Sequence, residues 1–198
     1  PYVPVVNPCG AYVRYFSYKK DPKAPKAYLN FEGVDSCFYV WVNGSFVGYS
    51  QVSHSTSEFD VTEVLREGEN TLAVLVVKWC DGSYFEDQDK FRMSGIFRDV
   101  YLLNRPENGI QDYFVKAIPS EDYQDGTITI DFTYRKEPVP VNITLSDAKG
   151  KTLAQVTAEG QVSIPVKNAH LWSAEDPYLY KLVLSTGEEA ITEQVGIR

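Results

Sequence analysis

The sequence is poor in the residues that most often declare a chemistry. Its 198 residues include only two histidines, three cysteines and one methionine. Cys9, Cys37 and Cys80 form an odd set with no Cys-x-x-Cys spacing, which argues against a disulfide scaffold and a zinc knuckle. They read as free core thiols, with a single bridge as the alternative. His54 and His170 lie far apart and neither has a partner at ligand spacing, so neither a metal site nor a catalytic triad is written in them. There is no Gly-x-Ser-x-Gly elbow, no Gly-rich phosphate loop and no His-Glu-x-x-His pair, which removes the common hydrolase, nucleotide and zinc-protease signatures. No apolar run exceeds six residues, against the roughly 20 that a membrane-crossing helix needs. Positive charge is short as well. Nineteen Lys and Arg face 27 Asp and Glu, a net charge of −8, so phosphate backbones and anionic membranes are disfavoured as partners.

What the chain does have is aromatic and β-branched residues in short segments punctuated by Gly, Pro, Asn and Asp. Aromatics make up 14% of the residues, hydrophobic residues 43%, and helical periodicity is almost absent, which predicts an all-β fold with enough apolar material for a core. The clearest local signal is Cys37-Phe-Tyr-Val-Trp-Val42, then Asn43-Gly44, then Ser45-Phe-Val-Gly-Tyr49. Asn-Gly accepts the positive φ angles of a tight turn, so this is a hairpin. Further strands are expected at residues 11–18, 27–32, 71–79 and 97–104. Asp60, Glu63 and Gly68 mark a capped helical turn between them. Pro and Gly cluster at Asn104-Arg-Pro-Glu-Asn-Gly109, where we place a linker between a domain of residues 1–105 and one of residues 106–198. Net charge divides as −2 and −6 between them, so no charged tail is hidden in the total. Seven short strands are expected in the second part, near 111–118, 126–134, 139–146, 152–158, 161–166, 178–185 and 189–197, spaced as in an immunoglobulin-like sandwich.

Two features depart from an ordinary sandwich. Residues 37–42 and 72–77 are apolar at every position, whereas a free-standing antiparallel sheet normally wets one face. Either these are central strands under loops, or something outside this sequence covers an outer face. The extended, Pro-punctuated start at Pro1-Tyr-Val-Pro-Val-Val-Asn-Pro8 favours a piece of a longer protein. The second feature is the polar, aromatic loop of residues 79–99. It puts Asp81, Glu86, Asp87 and Asp89 beside Trp79, Tyr84, Phe85 and Phe91. Carboxylate oxygens accept sugar hydroxyls while ring faces cover pyranose C–H patches, so a sugar site is one reading; a solvated acidic loop is the plainer one on composition. A calcium loop fits poorly, because Arg92 stands where the turn needs Gly. The sequons Asn43-Gly-Ser45 and Asn142-Ile-Thr144 are given no role.

Several motifs taken together go further. Asn7-Pro-Cys-Gly10, Phe31-Glu-Gly-Val-Asp-Ser-Cys-Phe38, Trp41-Val-Asn-Gly44, Ser57-Glu-Phe-Asp60, Gly68-Glu-Asn70, Asp81-Gly-Ser-Tyr84, Glu86-Asp-Gln-Asp89 and Arg92-Met-Ser-Gly-Ile-Phe-Arg-Asp99 resemble the non-catalytic front of large bacterial lac-type β-galactosidases, glycoside hydrolase family 2. Leu171-Trp-Ser-Ala-Glu-Asp-Pro-Tyr-Leu-Tyr180 and Val195-Gly-Ile-Arg198 resemble the end of that family's immunoglobulin-like domain.

The resemblance implies a jelly-roll, galactose-binding-like β-sandwich that lacks its upstream strands, followed by an immunoglobulin-like β-sandwich. It also implies a (β/α)8 barrel on the same polypeptide, carrying the two glutamates of a retaining hydrolysis of β-galactosides; no catalytic residue is expected in this chain. Asp89 matches the family position that reaches the barrel's site to bind galactose and a sodium ion. Magnesium is a further cofactor of the intact protein on this view, and a homo-oligomer its assembly. Lys90-Phe91 departs from the family's usual apolar residue and Trp. Family members acting on glucuronides or mannosides share this front, and a free-standing carbohydrate-binding module is the alternative without an enzyme attached. Cytoplasm and periplasm both remain open.

Overall fold

A computed structural model describes residues 4–86 and 91–198. The chain divides into two compact units, Pro1–Arg105 and Pro106–Arg198. In the first, the strands in chain order are β1 (Cys9–Tyr18), β2 (Lys26–Phe31), β3 (Val34–Asp35), β4 (Cys37–Val42), β5 (Ser45–Ser50), β6 (Ser57–Asp60), β7 (Gly68–Val77), β8 (Gly95–Ile96) and β9 (Val100–Arg105). A single-turn helix, α1 (Gly82–Phe85), lies between β7 and β8. Antiparallel pairing builds one sheet in the order β1-β7-β4-β5 and a second in the order β6-β2-β9, with β3 and β8 forming a two-residue ribbon.

The two sheets meet through the residues that alternation directs inward. Phe38, Val40 and Val42 of β4 and Val74 and Val76 of β7 are buried, as are Leu29 and Phe31 of β2. Phe31, Phe38 and Phe59 form a mutual ring cluster, with centroids 4.8, 6.1 and 6.0 Å apart. Gly48 on β5 makes room for it, because a Cβ there would lie 2.5 Å from the Phe59 ring. The Asn43-Gly44 hairpin is present, with φ of +53° and +83°. The Asn43 side chain does more than turn the chain. It donates to the Val64 carbonyl (2.8 Å) and to Asn70 Oδ1 (2.7 Å), and accepts from the Thr71 amide (3.0 Å). The helical turn after Asp60 is also present: Asp60 Oδ1 accepts from Thr62 N at 2.9 Å, and Leu65 N donates to the Val61 carbonyl at 3.0 Å.

The second unit contains β10 (Ile110–Pro119), β11 (Gly126–Tyr134), β12 (Val141–Ser146), β13 (Thr152–Ala158), β14 (Val162–Val166), β15 (Tyr180–Ser185) and β16 (Ala190–Val195). Its sheets run β10-β11-β14 and β13-β12-β15-β16, the seven-stranded immunoglobulin-like arrangement. No cysteine lies in it. The core is aliphatic instead, with Ile110, Ile128, Ile143, Leu145, Leu182 and Leu184 at 1% exposure or less. Arg135 and Glu189, a nearly buried pair at 3.2 Å, fasten the entry to β10, where the Ile110 amide also donates to Glu189 Oε1 at 2.9 Å. The architecture is thus all-β: a jelly-roll-type sandwich followed by an immunoglobulin-like one.

The thiol expectation needs correcting. All three cysteines are free, but only Cys37 is buried; Cys80 is half-buried and Cys9 is exposed. Cys9 opens the edge strand β1, so its side chain has a sheet neighbour on one side only.

The crowding around Gly48 gives a direct test. Gly48→Ala should destabilise the first unit by about 1–3 kcal/mol, read as a lower urea midpoint with an unchanged slope. Adding Phe59→Leu should recover part of that loss.

Candidate functional site

The described residues between β7 and β9 are tied to the sandwich at both ends of the segment. Asp81 caps α1, its Oδ1 accepting from Gly82 N at 2.9 Å, and Glu86 N closes the turn on the Gly82 carbonyl at 2.9 Å. β8 then pairs Ile96 with Val34 and Gly95 with Asp35, returning the chain to the sandwich. Among the residues singled out from the sequence, Asp87 and Asp89 lie outside the described residues, as does Lys90. Phe85 and Phe91 are 85% and 89% exposed, Tyr84 and Met93 about half so. The loop therefore presents rings to its surroundings rather than burying them. Glu86 is half-buried.

The residues that hold this loop were not evident in the sequence. Ser83 of α1 donates to Ser36 Oγ at 2.8 Å, and Ser36 donates to Asp35 Oδ1 at 2.7 Å; all three are buried. The Cys80 amide donates to Ser83 Oγ at 3.2 Å. This chain of bonds carries α1 onto the β3–β4 junction and satisfies a carboxylate that would otherwise be costly to bury. A second anchor follows. Ser53, 1% exposed, donates from Oγ to Glu86 Oε2 at 2.7 Å and lies 2.8 Å from His54 Nδ1. His54 packs on Phe97, with centroids 5.0 Å apart, and Arg92 reaches back to the Glu86 carbonyl at 3.2 Å. The arrangement is no triad: the serine hydroxyl is committed to a carboxylate, and the imidazole does not bridge the two.

Two of the four loop carboxylates thus serve the fold, Asp81 as a cap and Glu86 as a latch. The other histidine, His170, stacks on Tyr178 at 4.0 Å and bonds Asp176 at 2.6 Å on the surface of the second unit. Among the described residues, no group of three or more His, Cys, Asp or Glu could hold a metal ion.

Beside the loop root, burial pushes the Cys37 thiol up to about 11, with neighbouring Cys80 adding to the rise. Burial likewise raises the Tyr49 hydroxyl above the usual phenol range.

Comparison with known proteins fits this geometry. Residues 1–106 match the sugar binding domain of glycosyl hydrolases family 2, and residues 108–198 match a second domain of glycosyl hydrolases family 2. The chain belongs to glycosyl hydrolases family 2. Among curated relatives, it is 48% identical over its whole length to a beta-galactosidase of Actinobacillus pleuropneumoniae and 46% identical to one of Staphylococcus xylosus. It spans 19% and 20% of those proteins, so about a fifth of their length. Among solved structures, a beta-glucuronidase of an uncultured Clostridium sp. superimposes with a TM-score of 0.81 at 27% identity, covering 95% of this chain and 34% of that one. Family 2 architecture accounts for both sandwiches and for their order.

Two measurements probe the site as described. Ser53→Ala should cost about 1–3 kcal/mol of stability in thermal or urea unfolding, because it leaves a half-buried carboxylate short of a donor. Thiol alkylation at pH 8 should label Cys9 readily, while Cys37 should react about 100-fold more slowly than an ordinary thiol, since raising its value from 9.0 to about 11 lowers the thiolate fraction by that factor. Mass mapping of the labelled peptides checks both.

Proposed function

We propose that these 198 residues are the non-catalytic front of a β-galactosidase that hydrolyses terminal β-D-galactosides with retention. The observation that carries this reading is the near-half identity, over the entire chain, to two proteins named beta-galactosidase of which it represents a fifth. Retaining hydrolysis needs two carboxyl groups about 5 to 5.5 Å apart on either side of one glycosidic bond. On this reading both belong to a (β/α)8 barrel elsewhere in the polypeptide. The chain itself contributes a carboxylate-rich segment held at a pocket's edge, anchored through Ser83 and Glu86. Asp89 is its functional residue, accepting hydrogen bonds from galactose hydroxyls and serving as an oxygen ligand to sodium in the intact protein. No acid or base step is assigned to it.

The solved neighbour that is a beta-glucuronidase supports a second reading, in which the parent acts on uronides. Identity favours the galactoside, at 48% against 27%. So does charge: a uronate carboxylate brought beside the acidic segment would meet repulsion rather than a partner.

The purified 198-residue chain should show no turnover of an aryl β-galactoside above buffer. In the full-length protein, Asp89→Ala should lower kcat/KM about ten- to a hundredfold, as expected for hydrogen bonds to a charged group. Wild-type kinetics in that variant would retire the assignment of Asp89. Faster turnover of an aryl β-glucuronide than of the galactoside would overturn the substrate reading.

A further inference from the structure

Cys37 and Cys80 are 43 residues apart in the chain, yet the fold brings them to one spot. Cys37 opens β4 opposite Val77, the last residue of β7, and is 4% exposed. Cys80 comes back to it from the segment after β7. Its Sγ lies 3.7 Å from Ser83 Oγ, and that hydroxyl is 2.8 Å from Oγ of Ser36, the residue next to Cys37. A second path leads the same way. A Cβ at Gly82 would stand 3.4 Å from both Cys80 Sγ and the Gln51 carbonyl, and Gln51 follows Ser50, which pairs with Phe38, so it lies across from Cys37. The two thiols also act on one another directly, since Cys80 is a hydrogen-bonding neighbour of the Cys37 side chain. Cys9 is a different case. It pairs with Val77, which pairs with Cys37, so it stands two strand spacings away, roughly 9–10 Å, too far for a bridge to Cys37.

We propose that Cys37 and Cys80 are a dithiol–disulfide site, at which Cys80 meets a small peroxide and Cys37 closes the bridge. The site stands independently of the substrate reading under Proposed function. Access sets the order of steps, because Cys80 is half-buried and Cys37 is buried. Burial, with Cys80 beside it, also holds the Cys37 thiol up at about 11, which makes it the poorer first nucleophile at neutral pH. The Cys80 thiolate attacks one oxygen of hydrogen peroxide, breaking the O–O bond and leaving a sulfenic acid and hydroxide. Cys37 then gives its proton to that hydroxide, and its sulfur displaces a second hydroxide from the Cys80 sulfur as the S–S bond forms. Two electrons pass from the two sulfurs to the peroxide, so two thiols and one hydrogen peroxide become one disulfide and two waters. The product is a covalent tie between β4 and the root of α1, where the reduced protein has only the bond from Ser83 to Ser36 and its neighbours. The base of the acidic segment is thereby held in two different ways in the two redox states.

Mass mapping of the full-length protein treated with hydrogen peroxide tests this. Peroxide is added until a reference cysteine peptide in the same tube is oxidised, remaining thiols are blocked in urea, and the protein is digested with trypsin without reductant. Residues 27–66 should appear joined to residues 79–90, two hydrogens lighter than the two peptides together, and should separate on reduction. Their joint yield should fall at least about tenfold when peroxide is added in urea, where the fold no longer holds the sulfurs at high effective concentration. A native yield no greater than that in urea would overturn the proposal, as would recovery of Cys37 and Cys80 as blocked thiols or a bridge from either to another cysteine. In Cys37→Ser, Cys80 should stop at the sulfenic acid and be captured by dimedone, whereas Cys80→Ser should leave Cys37 unreacted at the same dose. Equal dimedone capture at Cys80 in the wild type would overturn the closing role of Cys37.

Discussion

A buried polar group must find its partner inside the protein, since leaving it unpaired costs about 1–3 kcal/mol, and this constraint shapes everything the first sandwich does at its loop. The chain leaves β7 carrying backbone and serine groups into a buried setting, where Asp35, Ser36 and Ser83 are each less than a tenth exposed. It can do so because Cys80 N, Ser83, Ser36 and Asp35 satisfy one another in sequence. The loop is consequently part of the sandwich rather than a fringe upon it. Glu86 extends the same logic outward through Ser53, so two separate parts of the sheet framework hold the base of the acidic segment.

That logic explains why the fold was largely legible from residue patterns and the site was not. Asn43-Gly44 and the alternation of β11 and β12 are local signals, each readable within ten residues. Strand limits shifted by one to three residues where they moved, as at β7, which begins at Gly68 rather than 71, and β12, which begins at Val141 rather than 139. The anchors are different in kind. Ser36 and Ser83 are 47 residues apart and Ser53 and Glu86 are 33 apart, and a serine in a turn carries no mark of its distant partner. The two-residue strands β3 and β8 were missed for the same reason: each exists only because the other lies across from it. Cys9 was misjudged because composition favours buried thiols, while its place on an edge strand decides its exposure.

The two-sided apolar runs were ambiguous in sequence between central strands and a covered outer face. In the structure the same strands give alternate residues to the core and to an outer face. Phe38, Val40 and Val42 point to the core, while Tyr39 and Trp41 stack on the outer side. The second sandwich, by contrast, wets its outer faces in the ordinary way, with Thr127 and Asn142 exposed beside buried Ile128 and Ile143.

The grip on Asn43 bears on how this polypeptide would be processed in a host that attaches N-linked glycans. Its amide nitrogen is engaged by Val64 and Asn70 and its oxygen by Thr71, so a folded hairpin offers no nucleophile to an oligosaccharyltransferase. Attachment before folding would replace one of the two amide hydrogens, removing one of those two donations, and would place a bulky sugar where the β4–β5 turn meets β7. Asn142, exposed on β12 with its oxygen accepting from Thr157, has no such lock. Secretory expression would therefore divide the product by the order of events: chains that close the hairpin early escape modification there, and chains that are modified first lose part of the clasp.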